Sequence, residues 1–331
     1  MQIATSFNKT TPVRSAATVA GYEREYRRQV NRIAKETGTE NPTPDEVVAD
    51  LIIRRPDLTM ATWRHNKAAA LYYIETYHPE HHEAIEQLRQ HGSAGLKRTS
   101  ANTGGRKIKH VPEQAWKEIR HVIGRRVEDG HRHARALLAV LEGTLLVGLR
   151  PIEWCYSELT THAATERPVL RVRNAKHSNG RANGAYRELF VDDLAPGELA
   201  TIQEALRYCA AASDEDAQRI KLALKHEMEA ARMMAVAGSR KPMSSVTMYS
   251  FRHQFIADAK QTFETPLLIS ATVGHNSTKT AFEHYGKRRF GRGKVRVYPT
   301  PESVAAVQNV TLETYRSYVA ARQNQRAPRL R

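Results

Sequence analysis

Apolar residues recur along the chain at steps of three and four far more often than at steps of two. That is the spacing of helices with one buried face. Val19, Tyr22, Tyr26, Val30 and Ile33 predict a first helix entered at Ser15. Thr43-Pro44-Asp45-Glu46 opens a second: a capping threonine, proline at the first helical position and glutamate at the third. Val47, Val48, Leu51 and Ile52 supply its apolar face. Leu58 to Tyr77 predicts a third helix, with Trp63, Ala70, Leu71, Tyr73 and Ile74 inward, and Glu80 to His91 a fourth. These four elements make a small helical bundle.

The pattern stops between Gly92 and His110, a stretch rich in Gly, Ser and Thr with five cations and no acid. It reads as a linker. Beyond it, Val111 to Val127 and His133 to Val147 predict helices, the second with Leu137, Leu138, Leu141 and Leu145 on one stripe. Alternation appears only in short runs, near Tyr156 to Thr160, Val169 to Asn174 and Ala185 to Val191. The last two flank KHSNGRANG, where Asn179-Gly180 and Asn183-Gly184 mark a hairpin tip. Helices follow over Gly197 to Ala211, Asp214 to Ala235, Thr247 to Lys260, Pro266 to Val273 and Thr278 to Tyr285, then Pro301 to Ala321 with Val304, Val307, Val310, Leu312 and Tyr315 in a stripe. The expected architecture is mainly α with a small β-hairpin or sheet. It divides into an arm (1–14), a helical domain (15–91), the linker (92–110), a mixed α/β domain (111–296) and a C-terminal helix and tail (297–331).

Charge changes the picture. The 331 residues carry a formal net charge of +16, and an excess of that size calls for a polyanionic partner, most simply nucleic acid. Lys97, Arg98, Arg106, Lys107 and Lys109 in the linker suit a strand lying along phosphates, each neutralised contact adding salt-dependent affinity. A second acid-free run, GKRRFGRGKVR, follows Tyr285. Two cysteines, Cys155 and Cys209, are too few for a disulfide framework and read as buried thiols. No apolar run approaches the ~20 residues of a membrane span, and MQIATSFNKT lacks a signal-peptide pattern. A cytoplasmic protein without membrane contact is expected.

Candidate chemistry clusters late in the chain. Arg150 ends a buried helix in Gly148-Leu149-Arg150-Pro151, an unusual place for a residue that prefers water, and Glu153 follows it. Lys176 sits where the first hairpin strand leaves for its loop. Arg252 and His253 lie on one helix, Gly274-His275 closes the next, and Tyr285 stands ten residues beyond His275. Cleaving a phosphodiester without metal calls for such a set. Arginine stays charged and binds two oxygens at once. A tyrosine nucleophile conserves the bond as a phosphotyrosine, and a lysine or histidine protonates the leaving oxygen.

These residues, in this order, resemble the tyrosine recombinase (phage-type integrase) family. The resemblance covers roughly Val111 to Arg289, with the N-terminal bundle matching a core-binding domain by shape. It implies Arg150 and Arg252 as catalytic arginines, Glu153 as a structural companion, Lys176 as general acid, His275 on the scissile phosphate and Tyr285 as nucleophile. Tyr249 occupies the position, three before Arg252, where the family usually has histidine. Residues three apart share a helix face, but a phenol is a poor base at neutral pH. The resemblance further implies double-stranded DNA as partner, a homotetramer on two DNA sites, and no metal or nucleotide cofactor. The alternative is a catalytically impaired DNA-binding or regulatory protein on the same scaffold.

Overall fold

The computed structural model describes residues 14, 16–97, 108–175, 177, 182–237, 246–278, 280 and 285–308. The chain divides into two compact units between Arg106 and Lys107.

The first unit is helical: α1 (Ala16–Thr37), α2 (Pro44–Ile53), α3 (Met60–Tyr77) and α4 (His82–Gln90). The Thr43 signal forms a reciprocal cap. Glu46 N donates to Thr43 Oγ1 at 3.3 Å, and Thr43 N donates to Glu46 Oε2 at 2.7 Å. Two of the donors that any helix start leaves open are thereby satisfied. Tyr26, Ile33, Val47, Val48, Leu51, Trp63, Ile74 and Leu88 make one core, with Tyr26 stacked on Tyr73 at 4.0 Å between ring centres. Lys67 Nζ donates to the carbonyls of Arg89 and His91 at 2.9 and 2.8 Å, closing the C-terminal end of α4.

The second unit is built around α6 (Ala134–Val147), which packs against α5 (Glu113–Glu128), α7 (Pro196–Cys209), α8 (Asp214–Ala237) and α9 (Met248–Thr262). Gly143 lets Trp154 lie against α6: a Cβ there would stand 2.7 Å from the indole. Trp154 Nε1 donates to Thr144 Oγ1 at 3.1 Å. Both cysteines are buried free thiols.

On one side of this helical core lies an antiparallel sheet, β1 (Ser157–Thr161), β2 (Pro168–Arg173), β3 (Tyr186–Phe190) and β4 (Tyr298–Pro299), in that spatial order. The register pairs Arg171 with Glu188 and Val172 with Arg187. The two-residue β4 was not foreseen, since so short a run carries no alternation. Thr300 N donates to Glu188 O at 3.0 Å and extends the pairing.

Three expectations change. The final helix, α11 (Pro301–Ala305), is far shorter than the Pro301–Ala321 reading within the described residues, and Val310, Leu312 and Tyr315 lie outside them. Asn183 is not an exposed turn residue. It is buried, with Nδ2 donating to Ser303 O at 3.1 Å and Oδ1 accepting from Asn174 Nδ2 at 3.1 Å. The helix expected over Thr278 to Tyr285 falls largely on residues outside the described set.

Candidate active site

Five elements deliver the site. Helix α6 ends at Gly148 in the left-handed region, φ +68°, with its N–H on Thr144 O at 2.9 Å. Glycine is needed twice over: for that φ, and because a Cβ would overlap the Phe255 ring. The turn throws Arg150 back onto the 3₁₀ segment Glu153–Tyr156. Arg150 N donates to Glu153 Oε2 at 2.8 Å, and its guanidinium Nη1 donates to Glu153 Oε1.

Glu153, with no exposed surface, serves more than Arg150. From β3, Arg187 Nη2 donates to Glu153 Oε2 at 3.0 Å, while Arg187 Nη1 and Nε bond Asn174 Oδ1 and Thr272 O. From α9, Arg252 Nη1 stands 3.6 Å from the same Oε2. Arg252 also donates to Gly148 O at 2.5 Å and to Val273 O at 2.6 Å. One carboxylate therefore ties together the end of α6, the hairpin and α9.

The third edge comes from α10 (Pro266–Thr272) and the turn after it. Gly274 adopts φ +68°, and His275 N returns to Ser270 O at 2.9 Å. A Cβ on Gly274 would collide with Asn174 Oδ1 and lie 2.7 Å from Arg187 Nη1. His275 Nε2 faces Arg252 Nη2 at 3.4 Å. A guanidinium only donates, so Nε2 accepts and the proton is assigned to Nδ1. Among the described residues, that Nδ1 and Arg252 Nε are buried without a hydrogen-bond partner.

Tyr285 completes the set. Its ring lies 4.7 Å from that of His275 and 4.9 Å from that of His253. The Arg252 guanidinium carbon stands 5.6 Å from the ring centre. The phenol lies within electrostatic reach of both Arg252 and Arg150.

The electrostatics follow from crowding. Burial alone would push the Glu153 carboxyl up, but Arg150, Arg187 and Arg252 override it and hold it well below the usual carboxylate range. Burial, then Arg150, pulls Arg252 down to about 10, which leaves it charged at neutral pH. Burial works against the Arg150 cation too, but Glu153 and Tyr285 outweigh it. Burial, then Arg252, Arg150 and Arg187, drives His275 well below its ordinary value, so it is a neutral imidazole. Burial would raise the Tyr285 phenol, yet Arg252 and Arg150 lower it overall. Three guanidiniums against one carboxylate leave two positive charges uncompensated in a nearly dry site. Such a site is completed by an anion.

The sequence-predicted residues separate as follows. Arg150, Arg252, His275 and Tyr285 meet in one cluster. Lys176 lies outside the described residues, as do Arg98, Arg106 and Lys107. Lys97 and Lys109 are exposed. Tyr249 sits one turn before Arg252 and feels the same arginines, but the two differ in exposure. Arg252 is fully buried, whereas Tyr249 is 44% exposed and borders a cavity lined by Pro151, Met228, Val246 and Met248. Burial of part of its ring raises the Tyr249 phenol, against the pull of Arg150 and Arg252, and keeps it protonated. Arg187 is a member of the cluster to which the sequence reading gave no role. Its signal was parity: Arg187 shares a strand face with Leu189, which is fully buried.

Compared by sequence, the chain matches no family model and no curated protein. Compared by structure, it is similar to XerH site-specific recombinase bound to difH substrate, with a TM-score of 0.46 and 14% identity over 80% of this chain and 75% of that one. It is also similar to lambda integrase (75–356) bound as a dimer to a COC′ core site, with a TM-score of 0.38 and 15% identity over 82% of this chain and 98% of that one. XerA recombinase aligns at a TM-score of 0.34 and 13% identity over 95% of this chain and 99% of that one.

Proposed function

We propose that this chain is a site-specific DNA recombinase of the tyrosine type, which cleaves and rejoins strands through a covalent 3′-phosphotyrosine. The observation that carries the reading is the Tyr285 phenol held against Arg150 and Arg252, in a buried cluster with surplus positive charge. A nucleophile and an oxyanion site occupy the same few ångströms.

The chemistry follows from the residues. A scissile phosphate would take the donors of Arg150 and Arg252, whose charge opposes the negative charge that gathers on the non-bridging oxygens. The unpartnered Arg252 Nε and His275 Nδ1 are further donors of the cluster. His275, being neutral, contributes a hydrogen bond and not a proton. Tyr285 oxygen, its phenol proton released to solvent, forms the new bond to phosphorus as the bond to the 5′-oxygen breaks. Lys176 is assigned the proton for that leaving oxygen, as the family resemblance implies. The reverse attack by a 5′-hydroxyl rejoins the strand. Arg187 and Asn174 touch no reacting atom; they hold Glu153 and, through it, the two catalytic arginines.

Double-stranded DNA is the partner under this reading, and a homotetramer on two sites is the assembly. Among the described residues no helix is long and apolar enough to cross a membrane. The domain division given above is retained, with the bundle and the linker assigned to DNA.

One observation favours a second reading, a DNA-binding protein without strand cleavage. Tyr249, at the usual histidine position, is half-exposed and stays protonated, so it is no base. A nicked duplex from the DNA flanking the gene decides between them, because cleavage then releases a short fragment and cannot reverse. A protein–DNA band that survives denaturant in the wild type and is absent in Tyr285→Phe establishes nucleophile and reaction together. Salt-sensitive binding with no such band on either flank selects the second reading.

A further inference from the structure

The run that follows Tyr285 is not used by the chemistry above. Lys287, Arg288, Arg289, Arg292, Lys294 and Arg296 all face solvent. A run of like charge in a loop is ordinarily a solvated, mobile segment. This one is held down. Helix α9 devotes four polar side chains to its backbone. Lys260 Nζ donates to Gly286 O at 2.7 Å. Gln261 Nε2 donates to Arg288 O at 3.1 Å and Gly291 O at 2.8 Å. Gln254 Nε2 donates to Phe290 O at 2.9 Å. Asp258 Oδ1 accepts from Arg292 N at 2.8 Å and Gly293 N at 3.3 Å.

The glycines show how closely the loop is pressed. A Cβ on Gly291 would stand 2.6 Å from Ala257 O, and one on Gly286 would overlap His253 O. Phe290 is stacked on His110 at 4.0 Å and 2°, and the Arg289 guanidinium lies 4.8 Å from its ring centre. Gly286 also abuts the Lys109 carbonyl, so the loop is continuous with the end of the basic linker.

Most of the charges are left without a carboxylate, although Arg292 Nη1 donates to Val111 O at 2.8 Å. Arg296 pairs with Glu198. Among the described residues no carboxylate forms an ion pair with Lys287, Arg288, Arg289 or Lys294. Ordering the backbone while leaving its cations free costs conformational entropy and gathers like charge. An external polyanion offsets both.

We propose that residues 286–294, with Lys109, form a preordered ledge that docks the phosphate backbone of duplex DNA beside the Tyr285 site. This rests on the DNA-strand reading of that site and adds a surface to it. Because the ledge is rigid, it fixes where the strand runs as it leaves the nucleophile. Its contacts go to phosphates, so it positions the strand without reading sequence.

The test uses the full chain and a blunt duplex of mixed sequence, with binding followed across a salt titration. The triple variant Arg288→Gln/Arg289→Gln/Lys294→Gln is expected to flatten the plot of log affinity against log salt by about 2 to 3, near 0.9 for each lost phosphate contact. Lys117→Gln/Arg120→Gln, two exposed cations on α5, is expected to change the slope by less than one contact. Gln261→Ala removes a backbone anchor and no charge, and is expected to weaken binding several-fold with an unchanged melting temperature. If the triple variant loses no more slope than the α5 control, or Gln261→Ala binds as tightly as wild type, the ledge is wrong while the site reading stands. If the wild type itself shows no salt-dependent DNA binding, both fall.

Discussion

Arg187 Nη2 donates to Glu153 Oε2 at 3.0 Å, and neither side chain has any contact with solvent. The pair lies on no catalytic path, yet it locks the carboxylate that Arg150 leans on. Arg187→Met keeps the stem and deletes the fork, leaving Asn174 Oδ1 and Thr272 O without their donor. Breaking one member from a buried ionic set costs about 3 to 5 kcal/mol. Urea denaturation should show a lower midpoint at constant slope. Arg187→Lys should recover only part, because an ammonium cannot bond two acceptors in one plane. An unchanged midpoint in the Met variant would remove Arg187 from the account.

Gly274→Ala carries the same argument to the turn before His275. The left-handed backbone alone costs an L-residue about 1 to 2 kcal/mol. The new methyl must also displace Asn174 and Arg187, both buried. The expected result is a drop in melting temperature together with loss of the covalent DNA band. Gly184→Ala is a control with φ +97° but only Tyr186 O near, at 3.7 Å. It should carry the backbone cost alone. Equal losses in the two variants would mean that crowding around Arg187 contributes nothing.

The sequence made the helices legible because their stripes and caps are local. The Thr43 box, the end of α6 at Gly148 and the turn at Gly274 all lie where composition placed them. Arg150, Arg252, His275 and Tyr285 were legible as a set through spacing and a family resemblance. What escaped was long-range. Arg187 belongs to the cluster because β3 presents it across the sheet to Glu153, 34 positions away. Asn183 reads as a turn residue until Ser303, 120 positions on, accepts its hydrogen bond. Strand β4 exists only because residues beyond Tyr285 return to pair with β3. Helix periodicity does not show how exposed Tyr249 is. It shares a rough face with Arg252, but α9 is buried so nearly all round that a shift of one turn moves a side chain from core to rim.

Two histidines beside Tyr285 give the protein a pH dependence of defined sign. Burial, then Lys109 and Arg252, lowers His253 to about 4, and His275 lies well below its ordinary 6.5. A group depressed on folding contributes stability above its unfolded value and loses it as pH falls through the folded one. These residues therefore make stability fall as pH drops from 6.5 towards 4. Glu153, which its three arginines also hold well below its ordinary value, loses its contribution at acid pH. Melting temperatures across that window should decline less steeply in His253→Gln than in wild type. A parallel decline would show that His253 titrates normally.

The last prediction concerns what Tyr285 blocks. Its phenol sits close enough to Arg252 and Arg150 to be lowered by their charges, in space that a phosphate bound to them would need. A phosphate entering the wild-type site must share that space with the phenol, whereas Tyr285→Phe leaves no oxygen there to compete for the arginines. A hydrogen bond to a charged group is worth about 1.5 to 3 kcal/mol, so the Phe variant should bind inorganic phosphate roughly ten- to a hundredfold more tightly. The shift in melting temperature with added phosphate measures this directly, with Arg150→Ala/Tyr285→Phe as the blank. The variant that cannot cleave would then be the better anion binder, an outcome that a tyrosine serving only as packing does not produce. If phosphate stabilises wild type and Tyr285→Phe equally, the phenol does not occupy the phosphate position, and the attacking geometry has to be sought with Tyr285 displaced from the arginines.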